Sequence, residues 1–158
     1  MIKLLWLLCA VISLFAKETV FFIPNNHASF VHELSKAFKN SSQVFIVTSS
    51  FNHTELQKRL TALSKQETNI TIILNNAKSD PLSMVQYHHI NLYYSTIPLD
   101  QTFILIDHSY GCILDGGIED EAFHRQHTPI RCSTDPIWIK TLYTSLSPIM
   151  KYSKRYLK

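Results

Sequence analysis

Asp100 and Asp107 stand at the two ends of the segment QTFILI, within LDQTFILID at 99–107. A positioned carboxylate can act as a general acid or base, or as a nucleophile that takes up a phosphoryl group. Further on, Asp115, Glu119, Asp120 and Glu121 precede His124 and His127, which are three residues apart. Imidazole and carboxylate together suit zinc and similar cations, so His124 and His127 are the candidate metal ligands. Two histidines in a polar loop are more often simply solvated, and no metal is favoured on this pattern alone. His88, His89 and His108 read as loop histidines. No cofactor is implied, because the chain has no phosphate-cradling glycine loop, no G-x-S-x-G elbow and no C-x-x-C pair.

The elements that must position these residues alternate in type. Strand-like runs are expected at VFFIP (20–24), QVFIVTSS (43–50), NITIILNN (69–76), INLYYSTI (90–97), TFILID (102–107) and YGCILD (110–115). Between the first two, Phe30, Leu34, Ala37 and Phe38 line one face of a helix over 27–40. Thr54 with Gln57 reads as a capping box ahead of the stripe Leu56, Leu60 and Leu63. Pro81 lies in a polar stretch carrying a short helix toward His89. Asp135 and Pro136 mark the start of a last helix with Trp138, Leu142, Leu146, Ile149 and Met150 as its buried face, kinked or broken at Pro148. The order predicts one α/β domain over 17–158, a mixed sheet of about six or more strands flanked by helices. Sites in such sheets gather at strand carboxyl ends, here 24–26, 48–52, 75–76 and Asp107. Asp100 and Asp107 are thus expected to flank one pocket, with the acidic residues 115–121 around its mouth.

The chain has 158 residues and a net charge of +3. Residues 1–16 read as a signal peptide: Lys3, then an apolar run from Leu4 to Ala16 that is shorter than the roughly 20 residues a membrane span needs. Cutting after Ala16 leaves 14 basic and 12 acidic residues, or +2, too mild an excess to require a polyanionic partner or to exclude one. Export to a periplasmic or extracellular compartment follows, where Cys112 and Cys132 can pair; two separate buried thiols are the alternative. The basic, aromatic end (Lys151, Tyr152, Lys154, Arg155, Tyr156, Lys158) suits nucleic acid or anionic lipid, or is a solubilising helix end.

Over nearly the whole mature length, from VFFIPNNHASFVHELSKAFKN through NITIILNN and TFILID to TDPIWIKTLYTSL, the sequence resembles one half of a phospholipase D-like protein. In that family a histidine, any residue, a lysine, four residues and an aspartate form the motif, followed by a glycine-serine turn and an asparagine. The resemblance puts Asp100 at the histidine position, Thr102 at the lysine position and Asp107 at the aspartate. Gly116 matches the turn glycine, Gly117 stands for serine and Glu119 for asparagine, with two extra residues between Asp107 and Gly116. The family's histidine attacks phosphorus, and its lysines and asparagines hold the phosphate oxygens. A carboxylate at Asp100 repels such a substrate by about 1 kcal/mol in water and about 4 at an effective dielectric of 20. The motif reads as disarmed.

The resemblance implies the fold and, because active members need two half-sites, a homodimer or a heterodimer with an active relative. Three functions stay open: an impaired binding or regulatory subunit of a phosphodiesterase or nuclease system, an active phosphodiesterase with a rearranged site, and a metal-dependent hydrolase using residues 119–127.

Overall fold

The computed structural model describes residues 17–75, 82–125 and 127–156. Residues 1–16, expected to be a signal peptide, and Asn76, Pro81 and Lys158 lie outside the described residues. The chain runs β1 (Glu18–Ile23), α1 (His27–Phe38), β2 (Gln43–Thr48), β3 (Phe51–Asn52), α2 (Thr54–Ser64) and β4 (Asn69–Leu74). After a 3-10 turn at Leu82–Gln86 come β5 (Ile90–Ser95), β6 (Gln101–Ile106), β7 (Tyr110–Asp115), β8 (Ile118–Glu119) and α3 (Asp120–Arg125). β9 (Thr128–Ser133), α4 (Pro136–Lys151) and β10 (Ser153–Arg155) close the chain.

Eight strands form one mixed sheet in the order β1-β9-β7-β6-β2-β4-β5-β10, and β3 pairs with β8 beside it. β2, β4 and β5 are mutually parallel, whereas β6 is antiparallel to β2. Each step from β6 to β7, β9 and β1 is again antiparallel. One end of the sheet therefore carries the carboxyl ends of β1, β2, β4, β5 and β7 with the amino ends of β6 and β9.

Helices cover both faces, which is why β2 buries five of its six residues instead of alternating. On one face Phe30, Leu34 and Phe38 of α1 and Leu56, Leu60 and Leu63 of α2 pack on Val44, Ile46, Ile72 and Ile104. On the other, Ile139, Leu142 and Leu146 of α4 pack on Phe45, Val47, Ile73 and Leu105. Met150, expected in that face, is half exposed, while Trp138 and Ile149 pack against it.

Asp135 caps α4 by accepting from the Ile137 N–H at 2.8 Å. Pro148 does not break the helix, which continues to Lys151. So near the carboxyl end its missing N–H forgoes only one hydrogen bond. The cap of α2 is His53, not Thr54: His53 has extended backbone and its Nδ1 accepts from the Leu56 N–H at 3.4 Å. The basic tail does not prolong a helix; Ser153–Arg155 adds an edge strand to β5.

Periodicity missed β9, because TPIRCS is short and contains a proline. β9 fills the space between β1 and β7 and sets Cys132 directly opposite Cys112, where the two sulfurs are bonded.

Candidate functional site

The length of β6 separates the two aspartates, and its antiparallel course decides which end of the sheet each one takes. Asp100 precedes β6 at the end where β2 and β4 finish, and Asp107 follows β6 at the opposite end. They do not flank one pocket, and the expectation that Asp107 belongs to the same mouth is corrected. Carboxyl end of one strand does not mean carboxyl end of the sheet once a strand is reversed. Asp107 is instead a clamp: its Oδ1 accepts from the N–H groups of Ser42 at 3.0 Å and Gln43 at 2.7 Å and from the Ser42 hydroxyl at 2.9 Å. It ties the tight β6–β7 turn, where Asp107 and His108 have φ of +48° and +53°, to the start of β2. His88 and His89 sit at the amino end of β5, on that same far end. His108 stacks its ring on Tyr143 at 4.1 Å between centroids.

At the near end, Thr102 is fully buried. Its hydroxyl lies 2.7 Å from that of Thr48 and 2.6 Å from the Gly116 carbonyl oxygen, and the Thr48 hydroxyl donates to the Ser50 carbonyl. The hydroxyl is consumed inside the protein. Asp100 is exposed, and its carbonyl accepts from the Gly116 N–H at 2.9 Å. With Leu99, Phe103, Asp115 and Ile149 it lines an open depression of about 530 Å³. Gly116 takes φ of +80°, which glycine adopts without strain. A Cβ at Gly117 would overlap the Ser50 hydroxyl and come within 3.2 Å of the Ser50 carbonyl, so a larger residue would force this turn to move. Glu119 accepts from the Ser50 hydroxyl, which binds β8 to the chain after β2. Asp100, Thr102, Gly116 and Glu119 therefore share one end of the sheet.

The same end gathers three histidines. His27 follows β1, His53 follows β3, and His124 lies on α3. His27 Nε2 is 3.1 Å from His53 Nε2, and the His27 and His124 ring centroids are 5.7 Å apart. His53 is buried, His27 half-buried and His124 exposed. Asp120 Oδ1 stands 3.5 Å from His53 Nδ1, and the carboxylate is held by the Thr54 N–H and hydroxyl. Phe123, also fully buried, sets its ring edge-on to His53 at 4.7 Å. Burial pushes the pKa of His53 below the usual imidazole value, against the pull of Asp120. Burial lowers that of His27 as well, helped by His124 and opposed by Glu55 and Asp120. Both shifts favour the neutral ring. The sequence pairing of His124 with His127 is not what the contacts of this cluster use. His27 and His53 escaped sequence reading because each looked like an ordinary helix start; the available signal was that each directly follows a strand at the same end.

No family model matches the sequence, and no curated protein does. Solved structures do match. NucT from Helicobacter pylori superposes with a TM-score of 0.79 at 14% identity, covering 89% of this chain and 99% of that one. The phospholipase D family member Nuc from Salmonella typhimurium gives 0.76 at 13% identity, covering 90% and 99%. The fold is phospholipase D-like. Phosphatidylserine synthase of Haemophilus influenzae matches at 0.70 and 11% identity, over 89% of this chain but 40% of its own. The phospholipase D-like fold therefore accounts for the strand order and for the mixed sheet expected from the sequence. This chain spans the first two structures almost end to end.

Proposed function

We propose that this is an exported phospholipase D-like protein that does not run the family's phosphodiester reaction and serves as a binding or regulatory subunit of a phosphodiesterase or nuclease system. The observation that carries the reading is Thr102: buried and bonded to Thr48 and Gly116, it offers a phosphate neither charge nor a free donor. Asp100 beside it adds a repelling carboxylate. The Cys112–Cys132 bond suits an oxidising compartment, in keeping with a signal peptide over 1–16. A chain matching half of the two-site arrangement implied by the resemblance would act by pairing, with itself or with an active relative. The basic edge at Lys151, Lys154 and Arg155 supplies a surface for nucleic acid or anionic lipid.

The test is a phosphodiesterase assay of the purified protein on plasmid DNA and a chromogenic phosphodiester, with and without EDTA, beside Asp100→Asn. The expected outcome is no turnover in any arm. Cleavage that survives EDTA and falls in Asp100→Asn would give Asp100 a catalytic role and overturn the proposal. EDTA-sensitive cleavage would favour a metal-dependent hydrolase built on residues 119–127.

A further inference from the structure

We propose that His27, His53 and His124 form a zinc-binding site at the carboxyl-end rim of the sheet, with Asp120 as the carboxylate that orients His53. The inference goes beyond the proposed function and does not depend on the state of the Asp100–Thr102 motif.

The geometry starts with the two facing nitrogens. Two imidazole nitrogens bound tetrahedrally to zinc, each at about 2.0–2.1 Å, lie about 3.3 Å apart. His27 Nε2 and His53 Nε2 are 3.1 Å apart, close to that spacing, with the ring centroids 5.3 Å apart. In the absence of a cation this closeness needs a proton between them. With His53 Nδ1 accepting from the Leu56 N–H, the His53 proton sits on Nε2 and is donated to His27. Zinc replaces that proton when His53 shifts it to Nδ1, where Asp120 Oδ1 waits at 3.5 Å to accept it. A carboxylate on the far nitrogen of a metal-bound histidine fixes the tautomer and raises the basicity of the ring. The Leu56 contact given up is long, at 3.4 Å, so the exchange forgoes only a weak bond.

The third ligand comes from the exposed side. Among the described residues, no three ligating side chains already surround one point. His124 has to turn its ring toward the pair from a centroid distance of 5.7 Å, a rotamer change open to an exposed side chain. The steps of burial, from His53 to His27 to His124, leave an entry path from solvent. The site joins the segments after β1 and β3 to α3, pieces of chain that Phe123 and the Thr54–Asp120 hydrogen bonds also connect.

The experiment is calorimetric titration of chelator-treated purified protein with zinc chloride at pH 7.5, repeated on His27→Gln, His124→Gln, Asp120→Asn and, as a control, His127→Gln. Circular dichroism reports whether each variant folds, and the exposed His124→Gln keeps the test usable if His27→Gln does not. One zinc per chain is expected, with affinity falling at least tenfold in His27→Gln and His124→Gln, about 10–100-fold in Asp120→Asn, and not at all in His127→Gln. Zinc should also raise the Tm of the wild-type protein. No saturable binding, unchanged affinity in folded His124→Gln, or an equal loss in His127→Gln would overturn the site. Zinc binding without turnover leaves the proposed function standing, and turnover without zinc binding overturns that function instead.

Discussion

Thr102 and Asp107 show how two residues of one nine-residue stretch can come to do unrelated jobs. Thr102 is part of a buried hydroxyl cluster, so Thr102→Val, which keeps the shape and deletes the donor, takes from the Gly116 carbonyl the hydroxyl that donates to it. A loss of about 1–3 kcal/mol in urea unfolding is expected, the penalty for unsatisfied buried polar groups. Asp107→Ala removes the acceptor for two backbone N–H groups and one hydroxyl at the other end of β6. It should likewise cost about 1–3 kcal/mol, read as a lower urea midpoint. Because Asp107 is remote from the Asp100 rim, zinc affinity in that variant should match the wild type once folding is complete. An effect on both would mean the two ends are coupled.

At the level of elements, β9 is the piece that closes the sheet between β1 and β7, and the Cys112–Cys132 bond staples it there. The bond spans a sequence separation of 20, a loop length for which a disulfide is worth about 2–4 kcal/mol. Cys112→Ala with Cys132→Ala should lower stability by that amount, and added reductant should bring the wild type down toward the double variant while leaving the variant unmoved. If reductant has no effect on wild-type unfolding, the bond does not form in solution. β9 itself was hidden in the sequence because six residues containing Pro129 give too little alternation to stand out. α3 was hidden for a related reason: six residues make less than two turns, and its anchors, buried Phe123 and the Asp120–Thr54 hydrogen bonds, are tertiary.

For the whole molecule, the proposed pairing is the property to measure. The expected result of light scattering on the purified protein is a dimer at micromolar concentration. A monomer throughout would exclude pairing with itself and direct the search to a heterologous partner.

The sequence by itself determined what depends on neighbours along the chain. The period-3.6 stripe of Phe30, Leu34 and Phe38, the apolar block of β2 and the Asp135–Pro136 start of α4 specify helices, buried strands and hence a sheet covered on both faces. The family resemblance put Asp100 and Thr102, neither of them a cation, at the motif positions. Tertiary structure alone decided the direction of β6, which put Asp100 and not Asp107 at the end where β2 and β4 finish, and the meeting of His27 with His53. Strand direction and the contacts of residues 26 positions apart are set by which packing buries the most apolar surface across the sheet. Local periodicity carries no record of that choice.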